Sequence, residues 1–288
     1  MISICIPVYN FDISNLVKAI EKQTTNVVFE LVVIDDASDE VFKIENRKLL
    51  GNHKYVELPN NIGRSKIRNL FKSYVQYSYM LFMDCDSMIQ NDDFLQKYAN
   101  SLVPNVVVYG GRIYPDILPS KEQFLSWKYG IEVESKSVIK RNQEPYLSFM
   151  TNNFLIDSAV FEDIFFNEGI DTYGHEDTFF GYELAQNKIK IIHLENPVLN
   201  LDLETNERFF VKNETAIANL IKLQDGLFSN HVRLLSYYKK MNVFQKIIVK
   251  RLFNLTGSLI RKKMIAGFYS TKLLNFYKLG YLIKSVKN

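Results

Sequence analysis

The chain has few cysteines, glycines and prolines, with 2, 12 and 7 of them among its 288 residues. Two cysteines, Cys5 and Cys85, are too few for a disulfide framework or a four-cysteine zinc site. The low glycine and proline content excludes a collagen-like or low-complexity protein. No apolar run is long enough to predict a membrane-spanning helix. The first residues lack the basic segment of a signal peptide, so we expect a cytoplasmic protein.

Acidic residues are absent from the last part of the chain. Residues 231–288 carry 13 lysines and arginines and no acid, whereas residues 1–230 carry 22 basic and 32 acidic residues, a net charge of −10. We therefore expect two domains, an acidic domain at 1–228 and a basic, aromatic-rich helical region at 229–288.

Aromatic residues lie among the cations of the basic region. Basic helices with aromatic side chains are typical of peripheral membrane binding. We expect residues 231–288 to meet an anionic membrane surface, on the inner face of the cell membrane. The alternative is that this region packs on the acidic part of the same chain. We expect no nucleic-acid partner.

Short apolar runs alternate with helical patterns in the first hundred residues. The β-α-β-α-β order predicts an α/β fold with a mostly parallel sheet and helices on its faces. The predicted strands are 2–8, 27–34, 55–58, 79–83, 105–114, 147–156 and 188–194. The predicted helices are 13–23, 67–75, 157–166, 175–187 and 206–224.

Polar residues follow three of the predicted strands. They are Tyr9 with Asn10, the pair Asp35-Asp36, and the turn Asp84-Cys85-Asp86. Ligands of open α/β sheets bind at the carboxyl ends of the strands. The sequence therefore predicts a crevice, lined by carboxylates, for a nucleotide or a metal.

Each of these motifs permits a functional and a structural interpretation. Asp84 and Asp86 could bind a divalent cation that bridges to a diphosphate, or belong to a solvated turn. Asp36 could accept hydrogen bonds from a nucleoside, or cap a helix or turn. Arg64 and Arg68 share one face of a helix start, which suits phosphate groups or a basic surface.

Two further residues stand apart from the strand-end motifs. Asp177, in Gly174-His175-Glu176-Asp177, could act as a general base or only favour a helix start. His193 ends a predicted strand and could ligate the metal, although lone histidines are more often structural.

Taken in order, five segments resemble glycosyltransferase family 2, over roughly residues 1–225. The segments are SICIPVYN, IDDASDE, NNIGRSKIRN, FMDCDS and GHEDTFFGYEL. The resemblance implies the GT-A fold, a Rossmann-like nucleotide-binding mixed sheet flanked by helices.

The resemblance also implies roles for individual residues. The residues expected to bind the nucleotide or its sugar are Pro7, Tyr9, Asp36, Arg68 and Asp84. Asp86 would hold the metal on the diphosphate, and Asp177 would be the base that deprotonates the acceptor hydroxyl.

The implied reaction is an inverting transfer by an enzyme of the hexosyltransferase class, EC 2.4. The donor would be a nucleotide-sugar, with UDP as the expected nucleotide, and the cofactor Mg²⁺ or Mn²⁺. The acceptor would be a saccharide or a lipid-linked glycan. Two alternatives stay open: a HAD-type phosphohydrolase that uses Asp84 and Asp86, and an inactive sugar-nucleotide-binding membrane protein.

Overall fold

A computed structural model describes residues 1–51, 53–223 and 226–286 of the chain. Its strands are β1 (Ile2–Val8), β2 (Phe29–Asp35), β3 (Lys54–Glu57), β4 (Tyr79–Met83), β5 (Ser87–Met88), β6 (Val106–Tyr109), β7 (Arg112–Ile113), β8 (Asn153–Asp157), β9 (Lys190–His193) and β10 (Val198–Asn200). Its α-helices are α1 (Ser14–Glu21), α2 (Glu40–Leu49), α3 (Arg64–Leu70), α4 (Phe94–Ala99), α5 (Phe124–Tyr129), α6 (Val138–Gln143), α7 (Ser158–Asp163), α8 (Glu176–Gln186), α9 (Asn206–Lys222), α10 (Phe228–His231), α11 (Arg233–Lys240), α12 (Val243–Ile265) and α13 (Thr271–Ser285).

The chain forms two compact units, each made of several segments. The first unit consists of Met1–Tyr114, Ser135–Asp171 and Glu176–Asp202, and the second of Pro115–Glu134, Thr172–His175 and Leu203–Asn288. The expected domain boundary between residues 228 and 229 stays a prediction. Residue 224, at the end of a predicted helix, and residues 287–288 of the basic region lie outside the described residues.

The first unit is built on a seven-stranded sheet with the order β3-β2-β1-β4-β8-β6-β9. Strands β3, β2, β1 and β4 are parallel, whereas β8 runs antiparallel to both β4 and β6. This mixed sheet flanked by helices confirms the predicted fold class. Since β9 pairs with β6 in parallel, β8 is the one strand of these seven that runs against the others, which confirms the expectation of a mostly parallel sheet.

Both faces of this sheet are buried. Along β1, Ile4 and Ile6 belong to one apolar cluster, while Cys5 between them belongs to the cluster on the other face. Side chains of a strand point alternately to opposite faces, so a strand between two helical layers is apolar at most positions on both faces. This explains why β4 appears in the sequence as a continuous apolar run and β1 as a run broken only by Ser3, whose hydroxyl donates a hydrogen bond to Glu30 at 2.6 Å.

A second, three-stranded sheet in the same unit has the order β5-β10-β7. The predicted strand 105–114 is in fact two strands, β6 and β7, in different sheets. Gly110 and Gly111 separate them, and a Cβ atom at Gly110 would lie 2.4 Å from the Tyr98 hydroxyl. The chain therefore leaves the large sheet at a point where only glycine fits.

The basic region is helical, as predicted, and it belongs to the second unit together with α5 and α9. Helices α5, α9, α12 and α13 share an apolar core that contains Phe210, Phe253 and Tyr277. Polar contacts join the same helices: Arg261 forms ion pairs with Glu207 and Glu214 of α9. Over the described ranges, no helix combines the length and the apolar character that membrane crossing requires.

Candidate active site

The loops after β1 and β2 are tied to each other. The Asn10 amide donates a hydrogen bond to Ser38 Oγ at 2.8 Å, and the Asp39 amide donates to Asn10 Oδ1 at 2.7 Å. Pro7 lies in β1, opposite Ile34 of β2. Tyr9, at the end of β1, is 54% exposed. The carboxyl ends of the two strands thus form one fixed edge that carries an accessible aromatic ring.

Asp36 follows β2 and binds the start of helix α3. Its carboxylate accepts hydrogen bonds from the amides of Ile62 at 2.7 Å and Gly63 at 3.1 Å. Burial raises the pKa of Asp36, and these two hydrogen bonds oppose that effect. Asp36 therefore ties the turn after β2 to the two residues that directly precede helix α3.

Helix α3 also binds the acidic turn after β4. The Arg68 guanidinium, which is almost fully buried, donates from Nη2 to Asp84 Oδ1 at 2.8 Å. Nη1 of the same side chain donates to the Arg64 carbonyl at 3.2 Å, and the Phe166 ring lies 5.6 Å from its Cζ atom. These contacts fix the orientation of the Asp84 carboxylate.

Asp86 lies in a region of crowded negative charge. Burial, together with the neighbouring Asp84 carboxylate and Asp202, raises the pKa of Asp86 to about 6, while Arg112 and Arg64 oppose that shift. Since β10 pairs with both β5 and β7, the small sheet gathers the segments that carry Asp86, Arg112 and Asp202.

The start of helix α8 is bound to helix α3 by an ion pair. Arg64 Nη1 lies 3.1 Å from Glu176 Oε1, and the Glu176 side chain is only 5% exposed. Burial would raise the pKa of Glu176, but the positive charges of Arg64 and Arg68 lower it below its usual value. Asp177 follows directly, is partly exposed, and accepts a hydrogen bond from the Thr178 amide at 2.6 Å.

His193 is in a different environment from the two carboxylates of the β4 turn. It ends β9 beside Tyr109, and its Nε2 donates a hydrogen bond to the Pro145 carbonyl at 3.1 Å. Burial and the charge of Arg141 lower the pKa of His193 to about 4. Within residues 1–51, 53–223 and 226–286, no three His, Cys, Asp or Glu side chains come together as a metal site. The structure thus does not bring His193 together with Asp84 and Asp86.

The turn after β4 nevertheless fits a divalent cation. Mg²⁺ in phosphate-binding sites is held by one or two carboxylates, and phosphate oxygens and water complete its coordination. Burial is the main cause of the raised pKa of Asp86, and the nearby Asp84 and Asp202 add negative charge that a bound cation would neutralise. Asp86, with Asp84 beside it, is the donor set that this chain offers.

Several residues of the site were not predicted in their observed roles. The sequence left Arg64 open between a phosphate contact and a basic surface, and it did not predict the ion pair of Arg64 with Glu176. Arg112 and Asp202 were missed because they lie in or beside strands of two or three residues, which are too short to produce a periodic signal.

The site lies at the carboxyl ends of parallel strands, the edge where open α/β sheets bind ligands. The mixed sheet with acidic motifs after β2 and β4 is the fold of the GT-A glycosyltransferases. The sequence profile described as Glycosyl transferase family 2 matches residues 3–170, more than half of the chain. The chain therefore belongs to glycosyltransferase family 2, as predicted, and the phosphohydrolase alternative is wrong.

Solved structures show the same fold at low sequence identity. A mannosyltransferase of Pyrobaculum calidifontis, PcManGT with GDP-Man and Mn²⁺, has a TM-score of 0.59 and 12% identity, over 98% of this chain and 84% of its own. The structure of residues 1–349 of TarS from S. aureus with UDP-GlcNAc has a TM-score of 0.53 and 19% identity, and the match covers 98% of this chain and 88% of that structure. Glucosyl-3-phosphoglycerate synthase of Mycobacterium tuberculosis, with Mg²⁺ and UDP, has a TM-score of 0.50 and 11% identity, and the match covers 76% of this chain and 78% of that structure. A search of curated proteins finds no match.

Proposed function

We propose that this protein is an inverting glycosyltransferase that moves a sugar from a nucleotide-sugar to a hydroxyl group of a saccharide or a lipid-linked glycan. One observation carries the proposal. The segments that hold Asp36, Asp84 and Glu176 all bind helix α3, and Asp177 directly follows Glu176. Candidate groups for donor binding and for acceptor deprotonation are thus held around one helix.

The nucleotide lies at the ends of β1, β2 and β4 in this proposal. Pro7, the exposed Tyr9 ring and the Asp36 loop form the side for the nucleoside, and Arg68 with Asp84 lies towards the ribose and sugar. The ligands of the structural neighbours, GDP-Man, UDP and UDP-GlcNAc, support a sugar-linked nucleoside diphosphate as the donor. We propose UDP as the nucleotide and a hexosyl group as the transferred sugar, which places the enzyme in EC 2.4.

A divalent cation, Mg²⁺ or Mn²⁺, completes the donor site of this proposal. Asp86 would hold the ion, and the ion would neutralise charge on the departing diphosphate. The neighbours solved with Mn²⁺ or Mg²⁺ support this choice of cofactor. His193 was also expected as a ligand, but its Nε2 is engaged with the Pro145 carbonyl, so we assign it no role in binding the ion.

The reaction is a single displacement. The acceptor oxygen forms a bond to the anomeric carbon from the face opposite the nucleotide, and the bond from that carbon to the diphosphate oxygen breaks. Asp177 takes the hydroxyl proton, and the nucleoside diphosphate leaves with the bonding electrons. The ion pair between Arg64 and Glu176 holds the segment that carries Asp177, so the base is positioned before the acceptor binds.

Donor binding can be tested by thermal denaturation with a panel of nucleoside diphosphates, with and without Mn²⁺. A ligand at 100 times its Kd stabilises the protein by about 2.7 kcal/mol. We expect a Mn²⁺-dependent rise of the melting temperature with UDP, which Asp86→Ala abolishes. If no nucleoside diphosphate raises the melting temperature, the donor site is wrong.

The role of Asp177 is tested by Asp177→Asn. We expect this variant to keep the UDP-induced stabilisation but to lose transfer by about 10²- to 10⁴-fold, since it lacks a base. Asp163→Asn, at an exposed position of α7, is the matched control and should transfer normally. Near-normal transfer by Asp177→Asn contradicts the assignment, and absence of turnover in the wild type would favour the inactive sugar-nucleotide binder.

A lipid-linked acceptor would bring the enzyme to the inner face of the cell membrane. We include this peripheral location in the proposal because residues 231–288 carry 13 cations and no acid.

A further inference from the structure

Helix α12 is apolar on two opposite sides. One side, with Phe253, Gly257, Ile260 and Met264, is buried within the second unit. The opposite side, which we name the outer face, is exposed. Its residues are Phe244, Ile248, Leu252, Leu255 and Leu259, with exposed fractions of 71, 41, 47, 80 and 55%.

The spacing of these residues makes the outer face continuous. They recur at intervals of three and four residues, so they form one stripe along the helix. At 1.5 Å per residue the stripe is about 22 Å long. Isolated apolar side chains are normal on a protein surface, but a continuous stripe marks an interaction surface.

Five exposed cations lie on the same side of α12 as this stripe or close to it in the sequence. Arg251 and Lys262 lie on the same side of α12 as the stripe, and both are exposed. Lys239 and Lys240, at the end of α11, and Lys263, in the last turn of α12, are exposed as well. None of these five forms an ion pair with any carboxylate of the described ranges, whereas Arg261, towards the buried side, pairs with Glu207.

We propose that the outer face of α12 lies in the headgroup region of an anionic lipid bilayer, with the helix axis parallel to the membrane plane. The stripe would bury its apolar side chains at the boundary of the acyl chains, and the cations beside it would contact lipid phosphates. This inference deepens the proposed membrane location, because it assigns the surface that binds, but it does not depend on the transfer reaction.

Charge complementarity favours a bilayer over other occupants of this face. A second copy of the chain would bring two sets of unpaired cations together, which is unfavourable. Nucleic acid would satisfy the cations but would leave the aliphatic stripe in water. An anionic bilayer satisfies both the cations and the stripe.

Vesicle flotation of the full chain tests the proposal. We expect binding to vesicles of phosphatidylcholine with phosphatidylglycerol, and little binding to phosphatidylcholine alone. Leu255→Glu should lower the partition coefficient for these vesicles at least about tenfold, since a charge replaces a leucine side chain that the bilayer would bury. Ile117→Glu, at a position that is 83% exposed but not on α12, is the matched control and should bind normally.

The double variant Arg251→Gln/Lys262→Gln tests the cations. Each cation near an anionic leaflet contributes about a fivefold gain in partitioning, so the pair should lose about 25-fold. Wild-type binding by Leu255→Glu, or equal loss by Ile117→Glu, would overturn the proposal. The proposal would also be overturned if the wild type sediments as a dimer that Leu255→Glu dissociates. Binding of the wild type to an oligonucleotide but not to vesicles would overturn it as well.

The same variants separate this inference from the proposed function. Leu255→Glu should keep its melting temperature and its UDP-induced stabilisation, because position 255 is exposed. Vesicle binding without nucleotide binding would refute the proposed donor site alone. Nucleotide binding and transfer without vesicle binding would refute the assignment of the outer face alone.

Discussion

Removal of either partner of the ion pair between Arg68 and Asp84 should strongly destabilise the first unit. Their side chains are 3% and 19% exposed and are joined at 2.8 Å. Removing one partner of such a pair leaves the other charge without compensation, at a cost of about 3 kcal/mol. We expect Arg68→Met and Asp84→Asn each to lower the free energy of unfolding by about this amount.

The double variant shows whether the two residues act through each other. With both charges gone, no uncompensated charge remains, so the double variant should be more stable than the sum of the single effects predicts, by at least about 1.5 kcal/mol. Urea denaturation followed by circular dichroism measures these values. At a slope of about 3 kcal/mol per molar urea, each single change should lower the midpoint by about 1 M.

A surface pair in the same unit provides the control. Arg47 and Glu57 also form an ion pair, but their side chains are 51% and 32% exposed. Because water screens exposed pairs, Arg47→Met should leave the urea midpoint almost unchanged. Additive effects of Arg68→Met and Asp84→Asn within about 0.5 kcal/mol would refute the argument that Arg68 acts through Asp84.

Two further predictions concern other groups of the first unit. Asp36→Ala removes the acceptor of two amide hydrogen bonds just before α3 and should destabilise the protein by about 2 kcal/mol in thermal denaturation. The control is Asp39→Ala, which should leave the stability unchanged because the Asp39 side chain makes no capping hydrogen bond. His193 has its pKa lowered from 6.5 to about 4, so below pH 6.5 the unfolded chain binds a proton that the folded protein does not. Stability should therefore fall by about 3 kcal/mol as the pH is lowered from about 6.5 to 4, and His193→Gln should flatten this dependence in denaturation series across that range; an unchanged dependence would contradict it.

The strands that lie between two helical layers were predictable from the sequence. β1 and β4 were predicted at their observed bounds, because strands buried on both faces appear as apolar runs, broken in β1 only by Ser3. Helix α2 was not predicted. Its only buried side chain is Asn46, which binds the backbone of Phe11 and Ile13, so a polar residue stands where an apolar one would be expected to face the core.

Strand direction and the partners of charged residues were harder to predict. β8 is apolar like its neighbours, and nothing in its composition indicates that it runs antiparallel to them. The acidic motifs of the site were identified because they follow recognisable strands. That Arg64 pairs with Glu176 was not predictable, since the two residues approach only through the tertiary fold.

Helix α3 also determines when the site can form during synthesis of the chain. Its contacts with Asp36 and Asp84 span 26 and 16 residues, but the bond from Arg64 to Glu176 spans 112. Contacts of such long range form late, because they require closure of a large loop. A chain that emerges from the ribosome can therefore assemble the β2 and β4 turns on α3 well before α8 exists. The proposed donor side is complete first, and the proposed catalytic base is added last.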